Sequence, residues 1–199
     1  DVLQRRAGGK APAIQTRLPA QGEHLITLDG VDRALQDFNV LVADSAGALS
    51  IAGVMGGAES EVSAATRNVL LEGAAWNFIN IRRTLAAHSL SSEAGYRFSR
   101  GVHPAMAERG VRCGLALMQQ LAGGTIAEGL LDVYPRPAEQ PLVEITPQDT
   151  RRWLGIHLEA SELADLLRKL EFDVTIRGET VQARVPDHRL DIGTGIVGK

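Results

Sequence analysis

Apolar and polar residues alternate in short stretches near the start of the chain, at residues 13–18, 24–28, 39–43 and 48–54. Gln21-Gly22, Asp29-Gly30 and Asp44-Ser45-Ala46-Gly47 punctuate them. A period of two broken by such turn residues predicts antiparallel hairpins. The run Asn68-Val69-Leu70-Leu71-Glu72 is apolar until its last residue, which predicts a buried strand delivering Glu72 to a sheet end. Phe78, Ile81 and Leu85 then recur at helical spacing within residues 76–88. Beyond Pro104, the positions Val111, Leu115, Met118 and Ala122 mark one face of a long helix that Gly123-Gly124 ends. Residues 1–13 are polar, glycine-rich and without periodicity, and are expected to form a mobile loop or frayed terminus.

A proline-spaced connector, Tyr134-Pro135-Arg136-Pro137 through Pro141, places a domain boundary near residue 140. The predicted domains are residues 1–140 and 141–199. In the second, Thr146-Pro147-Gln148-Asp149 supplies a capping hydroxyl, a proline for the first helical position and an early carboxylate, and Gly155 closes that helix. Leu163, Leu166, Leu167 and Leu170 are expected on one face of the next helix. Phe172, Val174 and Ile176 alternate, Arg177-Gly178-Glu179 turns, and Val181, Ala183 and Val185 alternate again, which predicts a two-stranded hairpin. The fold class expected is mixed α/β (α+β): a layered, β-rich domain with packed helices, then a small, incomplete, winged-helix-like α+β module.

Composition narrows the function classes. The 199 residues are 44% hydrophobic and 23% charged, with a net charge of −3, which excludes a disordered tail and a generic polyanion binder. Cys113 is the only cysteine, so no intrachain disulfide forms and a reducing, cytoplasmic setting is expected. No apolar run approaches the roughly 18 residues of a membrane span. The opening Asp-Val-Leu-Gln, without Met, is that expected of a piece of a longer polypeptide. The five histidines are scattered, with no zinc spacing, and neither a Gly-x-Ser-x-Gly elbow nor a Walker loop is present. The closing glycine-rich residues 193–199 have the wrong spacing for a phosphate loop.

Two clusters concentrate unusual composition. In Gly53-Val54-Met55-Gly56-Gly57-Ala58-Glu59-Ser60, adjacent glycines allow a ligand to approach the main chain, although a sharp turn after a strand is the plainer reading. Residues 88–104 mix hydroxyls, Arg97, Arg100, Tyr96 and Phe98 ahead of the long helix, where small residues could floor a pocket. By themselves Glu72 reads as a solvated strand end, and Arg97 and Arg100 as a solvated face or salt-bridge partners.

The order of these motifs is specific. Gly53-Val54-Met55-Gly56-Gly57, then Asn68-Val69-Leu70-Leu71-Glu72, then Ser92-Glu93-Ala94-Gly95-Tyr96-Arg97-Phe98 with Arg100-Gly101-Val102 and Pro104 resembles the B3/B4 editing module of the bacterial phenylalanyl-tRNA synthetase β subunit. Val185-Pro186-Asp187-His188-Arg189-Leu190-Asp191-Ile192 looks like the Val-Pro-x-x-Arg-x-Asp hallmark of its B5 module. The resemblance implies an α2β2 ligase that charges tRNA(Phe) with phenylalanine using ATP and magnesium, and a β-subunit region that hydrolyses mischarged tyrosyl-tRNA(Phe). A pocket for an apolar ring rejects an analogue bearing one added hydroxyl by only about a hundredfold, so a second site must clear the error. The partners implied are the α subunit and tRNA(Phe), with no membrane.

By family position, Gly56, Glu72, Ser92 and Ala94 fall on the editing pocket. Glu72 would accept the phenol O–H, Gly56 and Ala94 would leave room for the aminoacyl group and terminal ribose, and the Ser92 hydroxyl, where threonine is usual, would bond substrate or water. Oxyanion donors could come from the Gly56-Gly57 main chain, and no general base is assigned. The family's editing histidine would lie upstream of Asp1, so the chain alone is expected to be inactive in aminoacylation and is a doubtful editor. Ser99 and His103 replace residues that are commonly acidic, a change expected to alter local salt bridges. Asp191 matches one carboxylate of an incomplete magnesium site, and neither ATP nor Mg2+ is expected to be bound here. Two other readings stand beside editing: a non-catalytic scaffold that positions tRNA and packs subunits, and a nucleic-acid-binding second module using Arg151, Arg152 and Arg168.

Overall fold

The structure is a computed structural model and describes residues 1–193, so most of the closing glycine-rich run lies outside the described residues. It is a mixed α+β chain of two compact units, divided between Leu130 and Leu131.

The first unit is built on an antiparallel sheet of β1 (Gln15–Arg17), β4 (Leu41–Asp44), β5 (Gly47–Ile51) and β6 (Met55–Gly56), in the order β1-β4-β5-β6. A two-stranded ribbon, β2 (His24–Ile26) with β3 (Asp32–Ala34), accompanies it. All four residues of β4 are buried, because both faces of the sheet are covered. Leu41 and Ile51 pack with Val54, Leu90 and Ile81 of α2 (Phe78–Ala87), whereas Val42 and Leu49 pack with Ala52 and Leu3. Asn77 starts α2 by accepting the amides of Ile79 and Asn80.

Residues 1–13 are not a frayed terminus. Residues 2–6 form helix α1 (Val2–Arg6), and Arg6 is held by both oxygens of Asp44, at 2.7 and 3.0 Å, and by Glu59. The Asp1 carboxylate receives the amides of Arg67 and Asn68 at 2.9 and 3.3 Å. Long-range partners, invisible to periodicity, order this polar stretch.

The strand expected at residues 68–72 is also absent. Among the described residues, 69–76 make no backbone–backbone hydrogen bond, and Val69 and Leu70 are exposed. The run lies instead against α4 (Met106–Ala122): a Cβ on Gly73 would fall 2.7 Å from the Ala107 carbonyl oxygen, and one on Gly114 3.1 Å from Leu71 Cδ2. Side-chain contact with a small-residue helix face replaces ladder pairing. The six-residue α3 (Glu93–Phe98), not expected from the sequence, precedes α4 and packs beside α2.

The second unit carries α5 (Pro147–Leu154), α6 (Ala160–Lys169), β8 (Asp173–Arg177) and β9 (Thr180–Arg184). Thr146 and Asp149 form a reciprocal capping box, and Gly155 ends α5 at φ +72°. The hairpin gains a third strand, β7 (Leu142–Ile145), giving the order β7-β9-β8. The core stripe of α6 is Leu163, Ala164 and the half-buried Leu167; Leu166 and Leu170 face solvent, contrary to expectation.

Candidate functional site

A cavity of about 410 Å³ opens in the first unit between residues 71–74, α3 and the first half of α4. Its helical wall combines Met106 and Val111 with small residues at successive turns, Ala107, Gly110 and Gly114, which leave space where larger side chains would fill it. Trp76, Phe98 and Val102 make the rest predominantly apolar, and Gly53 adds backbone. Gly53 adopts φ +67°, and a Cβ there would overlap the Trp76 indole.

Glu72 and Ala94 both line this cavity. Glu72 is exposed as a residue while contributing to the cavity wall. Loss of water around it raises its pKa above the ordinary 4.5, and no hydrogen bond or ion pair to another described residue offsets the effect. Arg97, which shares the cavity, pairs instead with Glu93 at 3.2 Å.

Gly56 and Ser92 are not among the cavity-lining residues. Gly56 pairs with Ser50 in the sheet, and a Cβ on it would lie 3.1 Å from Leu28 Cδ1. The Ser92 hydroxyl accepts the Gly95 amide at 3.0 Å, starting α3, and donates to the Val54 carbonyl at 2.6 Å. The Gly57 amide is bonded to the Leu49 carbonyl at 2.7 Å, so it is not a free oxyanion donor. Ser99 caps the end of α3, and the buried His103 accepts the Ala105 amide at 3.2 Å.

The spacing of Ala107, Gly110 and Gly114 was readable as a small-residue helical stripe, but its role appears only once residues 71–74 lie against it. Phe98 belongs to the 92–98 motif, whereas Trp76 carried no comparable signal.

Residues 5–123 match the family model described as B3/4 domain. The chain belongs to the B3/4 domain family. Residues 143–195 match a second model, the tRNA synthetase B5 domain. The B3/4 chain is similar to the phenylalanine–tRNA ligase β subunit of Geobacter metallireducens, 38% identical over 94% of this chain and 23% of the relative. It is also similar to proteins of that name from Moorella thermoacetica, at 40% identity, and Bacillus cereus, at 36%, over 90% of this chain and 22% of each relative. It thus spans less than a quarter of the length of these relatives.

In the B5 unit, both carboxylate oxygens of Asp191 accept bonds from Arg189 at 2.8 Å, which holds the Asp191 pKa down at about 2. Among the described residues no three His, Cys, Asp or Glu side chains cluster as a metal site. A carboxylate committed to a guanidinium does not fit the role of a Mg2+ ligand in this arrangement. Arg168, one of the three cations considered for nucleic-acid contact by this unit, pairs with Asp165 at 3.0 Å on the surface of α6. No helix among the described residues is long and apolar enough to cross a membrane.

Proposed function

We propose that the B3/4 unit is the editing region of a phenylalanine–tRNA ligase β subunit, hydrolysing the ester of tyrosine mischarged onto tRNA(Phe). The observation that carries this reading is the partnerless Glu72 carboxyl beside Ala94 at an otherwise apolar cavity. Phenylalanine and tyrosine differ by one hydroxyl. A carboxylate at the cavity gains a hydrogen bond from a phenol and none from a bare ring, a difference of about 1–3 kcal/mol. Apolar walls such as Trp76 and Phe98 accept either ring, so selectivity rests on the carboxylate.

The remaining residues act by shape and position. Ala94 and the small face of α4 keep the volume open. Ser92 fixes the start of α3 and thereby places Ala94, a positioning role in place of the substrate contact expected for it. Hydrolysis needs a positioned water and oxyanion donors, and neither is assigned to a side chain of this unit.

The α subunit and tRNA(Phe) are the partners in this reading, and the cytoplasm is the compartment. ATP and Mg2+ would serve the charging reaction in the whole enzyme, and no step here is routed through them. The alternative, a non-catalytic scaffold positioning tRNA and packing subunits, draws support from the internal commitment of both the Ser92 hydroxyl and the Gly57 amide.

Release of tyrosine from tyrosyl-tRNA(Phe) by the α2β2 enzyme carrying this sequence separates the two. Editing requires Glu72→Ala to slow release by about tenfold or more while phenylalanine charging is unchanged. Unaltered tyrosine release would favour the scaffold.

A further inference from the structure

One guanidinium lies between the two-stranded ribbon and the helices. The Arg33 side chain, on β3, is 11% exposed, and its nitrogens go to three separate acceptors. Nε donates to the Thr27 hydroxyl at 3.0 Å, one terminal nitrogen to the Asp29 carboxylate at 2.6 Å, and the other to the His88 carbonyl at 3.2 Å. The Thr27 hydroxyl in turn donates to the second oxygen of Asp29 at 2.6 Å. Thr27 is fully buried, and the turn it opens is seated on β6: Thr27 pairs with Gly57, and the Leu28 amide meets the Gly56 carbonyl at 2.9 Å. Two partners thus fix the guanidinium to the ribbon and the sheet, while the third lies 55 residues away.

That third partner stands where the course of α3 is decided. The last carbonyls of a helix concentrate negative partial charge, and α2 has no basic residue in its own last turn, so Arg33 supplies the cation from another element. The residue after His88, Ser89, takes φ +47°, a left-handed conformation that a side chain disfavours and surrounding structure must hold. Asn39 bonds the His88 ring at 2.9 Å, but a ring can turn about its own bonds, whereas Arg33 holds the main chain. Of the six residues of α3, Gly95 alone is buried, so its ends do more than its packing to place it. Ser92 ties one end to Val54, and Arg82 of α2 ties the other through the Ser99 carbonyl. Ala94, Arg97 and Phe98 of this helix line the cavity.

We propose that Arg33 is a positioning residue of the cavity: by holding the His88 carbonyl it sets where α3 carries Ala94 and Phe98 against Glu72. The proposal rests on the editing reading for the reaction at the cavity, and not for the placement of its wall. Lysine at this position keeps the charge and loses the planar fork that spans three acceptors.

The test joins hydrogen exchange in the full 199-residue chain to tyrosine release by the α2β2 enzyme carrying it. Arg33→Lys should speed exchange of the amides of residues 90–98 about tenfold, while those of β4 and β5 exchange as in the parent. In the enzyme it should lower kcat for tyrosine release about tenfold with KM for tyrosyl-tRNA(Phe) unchanged, because a displaced wall spoils alignment more than retention. Arg33→Ala should lose at least as much and recover on addition of ethylguanidinium, at concentrations too low to denature, but not of ethylammonium. Arg17→Lys breaks a comparable fork, to Glu23 at 2.6 and 2.7 Å beside the open end of the ribbon, and should change neither readout.

Exchange that rises equally in β4 and β5, as general destabilisation requires, overturns the proposal. So does unchanged exchange in α3, equal rescue by the two additives, or an unaltered kcat in an enzyme whose tyrosine release Glu72→Ala slows. Should Glu72→Ala leave release intact, the editing reading falls by itself, and exchange in α3 still decides whether Arg33 places this wall.

Discussion

The Ser92 hydroxyl donates to the carbonyl oxygen of Val54 at 2.6 Å, across thirty-eight residues of sequence. It also accepts the Gly95 amide, so one oxygen both begins α3 and ties it to the segment after β5. Ser92→Ala removes the cap and orphans the carbonyl of a residue that is 2% exposed. A loss of about 2 kcal/mol is expected in denaturant unfolding, whereas Ser92→Thr, which keeps the hydroxyl, should stay near the parent.

Gly73 sets the distance between the Glu72 segment and α4. A methyl group there meets the Ala107 carbonyl oxygen at 2.7 Å and also Val111. Gly73→Ala should lower stability by about 1–3 kcal/mol and push the segment outward. The carboxyl of Glu72, titrated by carbon NMR, should then move back toward its ordinary pKa as water reaches it.

Glu72 also makes stability depend on pH. Its pKa is raised in the folded state by desolvation, so folding favours the protonated form. The contribution is fully present below the ordinary 4.5 and is lost as pH rises through the folded value. Glu72→Gln should therefore stabilise the chain at pH 7 and leave it nearly unchanged near pH 3.5, as read from urea midpoints.

His88 contributes with the opposite dependence. Its Nε2 lies 2.9 Å from the side-chain oxygen of the buried Asn39, and desolvation, followed by the charge of Arg33, lowers its pKa from 6.5. The unfolded chain binds this proton more readily, so the contribution is complete above pH 6.5 and is lost as pH falls through the folded value. Stability measured from pH 8 to pH 5 should decline more steeply for the parent than for His88→Gln.

Features governed by neighbours in sequence were legible before the structure. Thr146-Pro147 with Asp149 and Gly155 bracket α5 because capping is local chemistry, and Phe78, Ile81 and Leu85 marked α2 through one face. Features that depend on distant partners were not. The first residues looked unstructured because Arg6 finds Asp44 only in the folded chain, and β7 becomes a strand only beside β9. Asn68–Glu72 has the composition of a buried strand, but a glycine-bearing helix takes the place of a strand partner.

The site was legible to the same extent. Family motifs pointed to Glu72 and Ala94, which line one cavity, and to Gly56 and Ser92, which are not among its lining residues. Of Gly53, Gly56 and Gly57 it is Gly53 that meets the cavity, at a φ of +67° and against Trp76, a property that composition does not encode.

The absence, among the described residues, of ladder bonds along residues 69–76 gives the cavity one hard jaw and one soft jaw. Helix α4 cannot bend without breaking its own turns, while the opposing stretch can shift by giving up only dispersion contacts. A guest too large for the cavity would therefore find room on the Glu72 side, and the acid would travel with the jaw that gives.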